Sequence, residues 1–277
     1  MPELPEVNFV SNALDKIIAG RKIIDARLIR ARLAPDTDSS TFAAELSGAT
    51  VRVVHRRGKH ILIELNNDRT LLTHLRMSGR FLLLGEENED PKFAHAVFYF
   101  EDGGRLVFDD QRHFGLMKIL KTEQVSLAKE ISKLAPEPFS DEFSTEYLRN
   151  KLKASKRSIK ETLLDQTKIC GLGNIYASEA LFLSSIDPRK RSHRISGKRA
   201  DILHGMIRRV LNEAISLGET ITVVPENISG SIYGAGSESA WRVYDREDLP
   251  CPGCEHPIAR ITQAGRSSYF CRRCQRS

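Results

Sequence analysis

His60-Ile61-Leu62-Ile63-Glu64-Leu65-Asn66-Asn67-Asp68-Arg69-Thr70-Leu71-Leu72-Thr73-His74-Leu75 is the stretch on which the fold turns. Ile61, Ile63 and Leu65 recur at every second position, as do Leu71, Thr73 and Leu75, and the Asn66-Asn67-Asp68 segment between them has turn composition. Successive side chains of an extended chain face opposite sides, so the pattern predicts two antiparallel strands with one face on a core. The alternation extends outward over residues 21–121, through Val97-Phe98-Tyr99-Phe100 and Leu106-Val107-Phe108, which flank an Asp102-Gly103-Gly104 turn. An antiparallel sandwich or barrel is expected there.

On the N-terminal side the period changes. Val7, Val10, Leu14, Ile17 and Ile18 recur at steps of three and four, with Pro5 tolerable in a first helical turn and Gly20 a stop, so residues 5–19 read as one amphipathic helix. On the C-terminal side, Pro136-Glu137-Pro138 marks a connector to predicted helices over 142–153, 158–168, 175–184 and 198–217, the last ending before Gly218. Residues 219–236 are rich in Gly, Ser and small polar residues and read as a long loop of the kind that often carries function. The expected domains are 1–135 (β-sandwich), 136–236 (helical) and 237–277 (a cysteine-bearing tail), with no internal repeat.

A chain of 277 residues with 40% apolar and 28% charged side chains has globular composition, which makes disorder an unsuitable reading. Its longest apolar run, Ala96 to Phe100, is far too short to cross a bilayer. Met1-Pro2-Glu3-Leu4-Pro5-Glu6 lacks the basic and apolar regions of a secretory signal, and a cytoplasmic location is expected. Lys and Arg exceed Asp and Glu for a net charge of +6, compatible with a polyanionic partner. Arg189, Lys190, Arg191, Arg194, Lys198 and Arg199 face a single acid, Asp187, within residues 186–199, although such a run is usually a solvated face.

Four of the five cysteines fall in the tail as Cys251-x2-Cys254-x16-Cys271-x2-Cys274. Two such pairs, separated by enough chain for a hairpin, have the spacing of one tetrahedral structural Zn²⁺; a redox dithiol or free buried thiols explain the double pairing less well. Cys170 has no partner in the motif and reads as a small buried hydrophobe. Four thiolates on one Zn²⁺ carry a charge of −2, more than offset by Arg260, Arg266, Arg272, Arg273 and Arg276. Arg266 could grip a phosphate with its planar fork or be an ordinary exposed arginine; spacing alone leaves both open.

Removal of Met1 would leave Pro2 with a free secondary amine, whose pKa near that of α-amino groups, ~7.7–8.0, leaves a useful unprotonated fraction. Attack of such an amine on an aldehyde carbon gives a cationic iminium, an electron sink for elimination, and Glu3 would stand beside it to move protons. A Pro-Glu pair at a helix start is more commonly there only to fix φ and favour the dipole. Gly171-Leu172-Gly173-Asn174, between two predicted helices, could hold a phosphate on backbone N–H groups, with Asn174 as ligand or as a plain N-cap.

Met1-Pro2-Glu3-Leu4-Pro5-Glu6-Val7, Arg57-Gly58-Lys59, His74-Leu75-Arg76-Met77-Ser78-Gly79, Arg112-His113-Phe114-Gly115, Gly171-Leu172-Gly173-Asn174-Ile175-Tyr176-Ala177 and the four-cysteine pattern occur in the order found in bacterial formamidopyrimidine-DNA glycosylases. The sequence resembles that family over its whole length. The resemblance implies an N-terminal β-sandwich with an opening helix, a helix–two-turn–helix domain and a C-terminal zinc finger. It further implies a bifunctional base-excision repair enzyme: a DNA glycosylase and AP lyase acting on oxidised purines, 8-oxoguanine and formamidopyrimidines, in damaged double-stranded DNA bound in a cleft. Pro2 would attack C1′, Glu3 would transfer protons with Glu6 as its supporting carboxylate, and Lys59 would be a cation near the lesion. His74, Asn174 and Arg266 would clamp phosphates. Met77, Arg112 and Phe114 would fill the void left by the extruded base, positions at which core Met, surface Arg and core Phe are the ordinary roles. One structural Zn²⁺ and no membrane are expected, with the chain acting as a monomer.

The sequence departs from the family pattern in two places. Gln111 and His113 replace the proline and second arginine usual around the Arg-Phe-Gly motif, so contacts to the opposite strand are expected to differ. Residues 219–236 also depart from the usual lesion-covering sequence. A related glycosylase for oxidised pyrimidines is the alternative, though that branch usually has glycine where this chain has Leu4. A non-catalytic DNA-damage-binding protein of the same fold is a third reading, opposed by the joint presence of Pro2, Glu3 and Lys59.

Overall fold

The computed structural model describes residues 1–231 and 241–276. Helix α1 spans Leu4–Ile18 and opens on Glu3 as N-cap with Pro5 in its first turn. Leu4, Val7, Val10, Leu14 and Ile18 form its buried face, as the three- and four-residue steps predicted, while Ile17 is half-buried. Each such side chain contributes roughly 1.5–3 kcal/mol on leaving water.

Eight strands follow: β1 Ile23–Leu28, β2 Val51–Arg57, β3 His60–Leu65, β4 Arg69–His74, β5 Gly79–Leu84, β6 Ala94–Phe100, β7 Arg105–Asp110 and β8 Leu116–Lys121. They make two four-stranded antiparallel sheets, ordered β1-β6-β7-β5 and β2-β3-β4-β8, which settles the architecture as a sandwich. The opening hairpin pairs Ile61 with Thr73 and Ile63 with Leu71, and Asp68 takes φ +60° in its turn. Leu62 and Leu72 are buried as well, so both faces of these central strands are covered. Phe42, Phe81, Phe98, Phe100 and Phe108 fill the core beside the apolar face of α1.

Within the expected β region the sequence reading missed α2, Ser39–Leu46. Its signal was short. Asp38 accepts the Thr41 N–H as N-cap at 2.9 Å, and Phe42 and Leu46, four apart, are its only buried residues.

In the second region the helices are α3 Thr145–Lys153, α4 Ile159–Leu163, α5 Asn174–Leu183 and α6 Gly197–Glu219. The expected helix 158–168 stops five residues early because Asp165 turns its carboxylate onto the Thr167 N–H at 3.1 Å, offering the backbone a non-helical bond. The tail forms the hairpin β9 Ile258–Gln263 and β10 Arg266–Cys271, closed by Ala264 and Gly265, both at positive φ as a tight hairpin turn demands.

Two compact units result. The β unit comprises 1–132 together with 217–232; the helical unit comprises 133–216 and the tail. Compactness thus places the tail with the helices, and the residues just after α6 with the sandwich, a grouping that differs from the boundaries expected at 135/136 and 236/237. In the tail, Gln275 donates to Ile186 O at 2.8 Å, and buried Glu179 of α5 accepts the N–H groups of Arg242, Val243 and Tyr244 at 2.9–3.0 Å. Of the stretch 219–236 expected as a loop, the described part carries a short 3-10 turn at Pro225–Asn227, and residues 232–236 lie outside the described residues. No helix among the described residues is long and apolar enough to cross a membrane.

Candidate active site and nucleic-acid interface

The head of α1 gathers the carboxylates. Glu3 is 3% and Glu6 4% exposed, and Glu6 Oε2 accepts the Glu3 N–H at 2.7 Å. This fixes the backbone of the residue that follows Pro2. Asn8 Oδ1 accepts from Arg56 Nε at 3.1 Å and Asp15 Oδ1 from Val54 N at 2.7 Å, so α1 lies antiparallel to β2. Its first turn therefore points to the β2–β3 turn, where Gly58 has φ +59° and Lys59 is buried.

Lys59 also lies close enough to His74 to act on its charge. His74 is pushed down to about 2, first by burial and then by His60, Arg76 and Lys59; His60 is pushed down to about 4, chiefly by burial. Both rings are neutral at pH 7 and meet edge to face at 4.7 Å. His74 Nδ1 accepts the Arg76 N–H at 3.0 Å, which assigns the ring proton to Nε2. His74 is thus built to offer a neutral N–H donor, as a phosphate oxygen would take.

Met77 and Phe114 are 44% and 48% exposed, the reverse of the core role ordinary for those residue types. Arg112 is exposed too, and its guanidinium stands 5.5 Å from the Phe114 ring centroid, with that of Arg32 at 5.9 Å. A pair of residues outside the expected set ties these two loops together. Ser78 donates to the fully buried Asp110 carboxylate and accepts the Arg112 N–H at 3.0 Å, while the other carboxylate oxygen accepts the Gly115 N–H at 2.7 Å. One carboxylate consequently sets the backbone around both apolar tips. His113, with φ +58°, directs Nδ1 to His95 Nε2 at 3.0 Å. Nothing in the local pattern around Ser78 or Asp110 marks them, because their pairing spans 32 residues.

In the helical unit Asn174, open in the sequence as phosphate ligand or N-cap, is not the cap. Gly173 caps α5 and Asn174 is its first residue, because the Asn174 side chain is used elsewhere: Nδ2 donates to Ser267 O at 2.9 Å. The bond sets Asn174 beside Arg266, which is exposed at the start of β10. Asn174 Oδ1 is buried with no hydrogen-bond partner among the described residues. Buried Lys160 donates to Asn174 O at 3.0 Å, and Gln166 holds the preceding glycine turn by accepting from Gly171 N and donating to Leu172 O. Neither Lys160 nor Gln166 was visible as a site residue in the sequence. Cys170 is fully buried, as expected of a small hydrophobe.

The sulfurs of Cys251, Cys254, Cys271 and Cys274 all lie within 4.8 Å of one another, with 3.8 Å between Cys251 and Cys274 and 3.4 Å between Cys254 and Cys271. Tetrahedral Zn–S bonds of ~2.3 Å require sulfurs ~3.8 Å apart, so the cage fits zinc. Gly253 N and Cys274 N donate to Cys251 Sγ and Cys271 Sγ at 3.4 Å, bonds that favour thiolate ligands. The site is structural: four protein ligands leave no open position.

Three family models match in order: the formamidopyrimidine-DNA glycosylase N-terminal domain over residues 1–117, the H2TH domain of the same glycosylases over 134–225, and the zinc finger found in FPG and IleRS over 248–276. The chain is 39% identical to the formamidopyrimidine-DNA glycosylase of Symbiobacterium thermophilum, covering 99% of this chain and 89% of that one. It is 38% identical to the Bacillus licheniformis protein over the whole of both. Wild-type Lactococcus lactis Fpg, solved with DNA containing N7-benzyl-Fapy-dG, superposes with a TM-score of 0.91 at 34% identity over all of both chains. The same wild-type protein has been solved with DNA containing an oxidised pyrimidine. With fold, cysteine cage and end-to-end similarity in agreement, this chain belongs to the formamidopyrimidine-DNA glycosylase family.

Proposed function

We propose that the Pro2 amine, freed by removal of Met1, is the nucleophile of this enzyme. As a member of its family the chain is a bifunctional DNA glycosylase and AP lyase that removes oxidised purines in base-excision repair. The observation that carries the residue assignment is the buried Glu3–Glu6 pair at the head of α1, directly beside Pro2. In this reading the Pro2 lone pair forms a bond to C1′ as the glycosidic bond breaks, and Glu3 moves the proton that lets the base depart. The C1′–O4′ bond next opens, its electron pair and a proton going to O4′, to give the iminium; this accepts electrons as C2′ loses a proton and the 3′ C–O bond breaks, and a second elimination releases the 5′ phosphate. Lys59 is the cation near the lesion. A retained methionine would turn the Pro2 nitrogen into an amide without a nucleophilic lone pair.

Damaged duplex DNA is the proposed partner of this chain. His74 offers its neutral Nε2–H to a phosphate, and Asn174 and Arg266 form a second phosphate grip, with one hydrogen of the Asn174 amide still to donate. Met77, Arg112 and Phe114 enter the stack where the damaged nucleotide leaves it, Met77 and Phe114 being apolar side chains already held out of the core and free to wedge. Zinc supplies the fold of the finger and takes no part in bond breaking. The relative solved with an oxidised-pyrimidine DNA favours measuring both lesion classes; a purine preference is expected with Leu4.

Borohydride reduction tests the nucleophile. Enzyme mixed with a duplex carrying 8-oxoguanine, or a preformed abasic aldehyde, should yield a covalent adduct on the N-terminal peptide. An adduct on Lys59 or any other lysine would reject Pro2.

A further inference from the structure

We infer that Gly230 is a positioning residue for the nucleophile: its bare Cα is the backstop against which the Pro2 ring rests. The inference rests on the proposed role of Pro2. Residues 220–230 leave α6 and return to the sandwich, where Ile228 pairs antiparallel with Phe81 of β5. Ile228 N donates to Phe81 O at 2.8 Å and Phe81 N donates to Ile228 O at 3.0 Å. Ile228 is buried in the sandwich core, and Arg80 Nη1 donates to Asn227 Oδ1 at 3.2 Å. Strand pairing, core burial and a side-chain bond therefore fix this segment against the β unit.

Two residues beyond the bridge the chain passes over the head of α1. A methyl group on Gly230 would stand 2.9 Å from Pro2 Cγ, 3.1 Å from Pro2 Cβ and 3.2 Å from Glu6 Cβ. Surface glycines such as Gly20 and Gly48 would meet nothing within 4 Å, but they have positive φ; Gly230 does not. Space rather than backbone conformation requires glycine here. The Glu3 N–H bond to Glu6 fixes the ring from the backbone side, and Gly230 bounds it on another.

The consequence is chemical. Attack on C1′ requires the nitrogen within ~3–3.5 Å along a defined direction, and displacement by ~1 Å costs on the order of a hundredfold in rate. A pyrrolidine ring has no side-chain torsion with which to slide away from an added methyl, so the clash would move the nitrogen itself.

A double-mutant cycle between Gly230→Ala and Pro2→Gly tests this, since Pro2→Gly keeps a primary amine but removes both ring atoms that the new methyl would meet. The readouts are the single-turnover rate of borohydride trapping on a preformed abasic duplex and the Kd for a duplex with a tetrahydrofuran abasic analogue. Gly230→Ala should slow trapping at least tenfold in the Pro2 background, change Kd less than threefold, and slow trapping less than threefold in the Pro2→Gly background. An unchanged rate, an equal loss in both backgrounds, or a Kd that weakens as much as the rate falls would each overturn the proposal. If Gly230→Ala alone does not fold, the double variant must; a double variant equally unfolded also overturns it. Wild-type trapping on a lysine would remove the Pro2 reading itself, whereas trapping on Pro2 with a silent Gly230→Ala removes only this one.

Discussion

The two ends of the chain hold polar groups still by different means. At the head, Glu3 and Glu6 sit on a helix whose apolar face joins the large core of the sandwich, so their geometry is backed by many buried side chains from eight strands. In the finger, Val243, Ile258 and Tyr269 surround Cys251 and Cys271, and two of the groups that close this small cluster are themselves proposed metal ligands. The difference teaches that the chemical end is built on a self-sufficient core, whereas the gripping end depends on its ion. Either should therefore be able to fail while the other holds.

The sharpest separation is chemical. Glu3→Gln should lower excision of 8-oxoguanine by ~10²–10⁴, the range of a lost proton transfer, while sparing much of the strand cleavage at a preformed abasic site, where no base has to leave. Rate constants on the two substrates measured side by side decide it; equal losses would make Glu3 a structural residue.

Metal removal attacks the other end. One Zn²⁺ per chain should be found by elemental analysis, and chelation should unfold the hairpin and cost at least the Arg266 contact. Loss of one charge-assisted bond is worth ~1.5–3 kcal/mol, or roughly 10–100-fold in Kd. Hydrogen exchange in the strands of the sandwich should not change; simultaneous loss of protection at both ends would break the contrast.

Single contacts refine it further. Phe114→Ala should slow single-turnover excision roughly tenfold, about 1.4 kcal/mol, with a smaller effect on binding of undamaged duplex. Arg266→Ala should instead weaken damaged and undamaged duplexes alike and reduce the log–log salt slope by ~1. An unchanged slope returns Arg266 to the role of an ordinary surface arginine.

A further test concerns acid. His60 and His74 titrate near 6.5 in the unfolded chain but are pushed down to about 4 and about 2 in the folded one, mainly by burial. Below pH 6.5 the unfolded state binds protons that the folded state refuses, so their contribution is complete above pH 6.5 and declines as the pH falls toward 4. Melting temperatures across this window should drop less steeply for His60→Gln than for wild type; parallel curves would mean that the ring is not buried neutral.

Much of this arrangement was legible before any coordinates. Alternation in the 60–75 hairpin, the three- and four-residue steps in α1 and the paired cysteines are properties of neighbours along the chain, and local geometry converts them directly into strand, helix and metal knuckle. Tertiary structure alone decided the rest. Met77 and Phe114 have the composition of core residues, and only the packing of the sandwich leaves them outside it. Asp110 becomes the anchor of both exposed loops through Ser78, 32 residues away, and Asn174 gives its amide to Ser267, 93 residues away. Gly230 reads as one small residue in a polar loop until the Phe81–Ile228 pairing lays it on Pro2. Burial and close approach are relations between residues distant in sequence, and no periodicity along one segment encodes what another will bring against it.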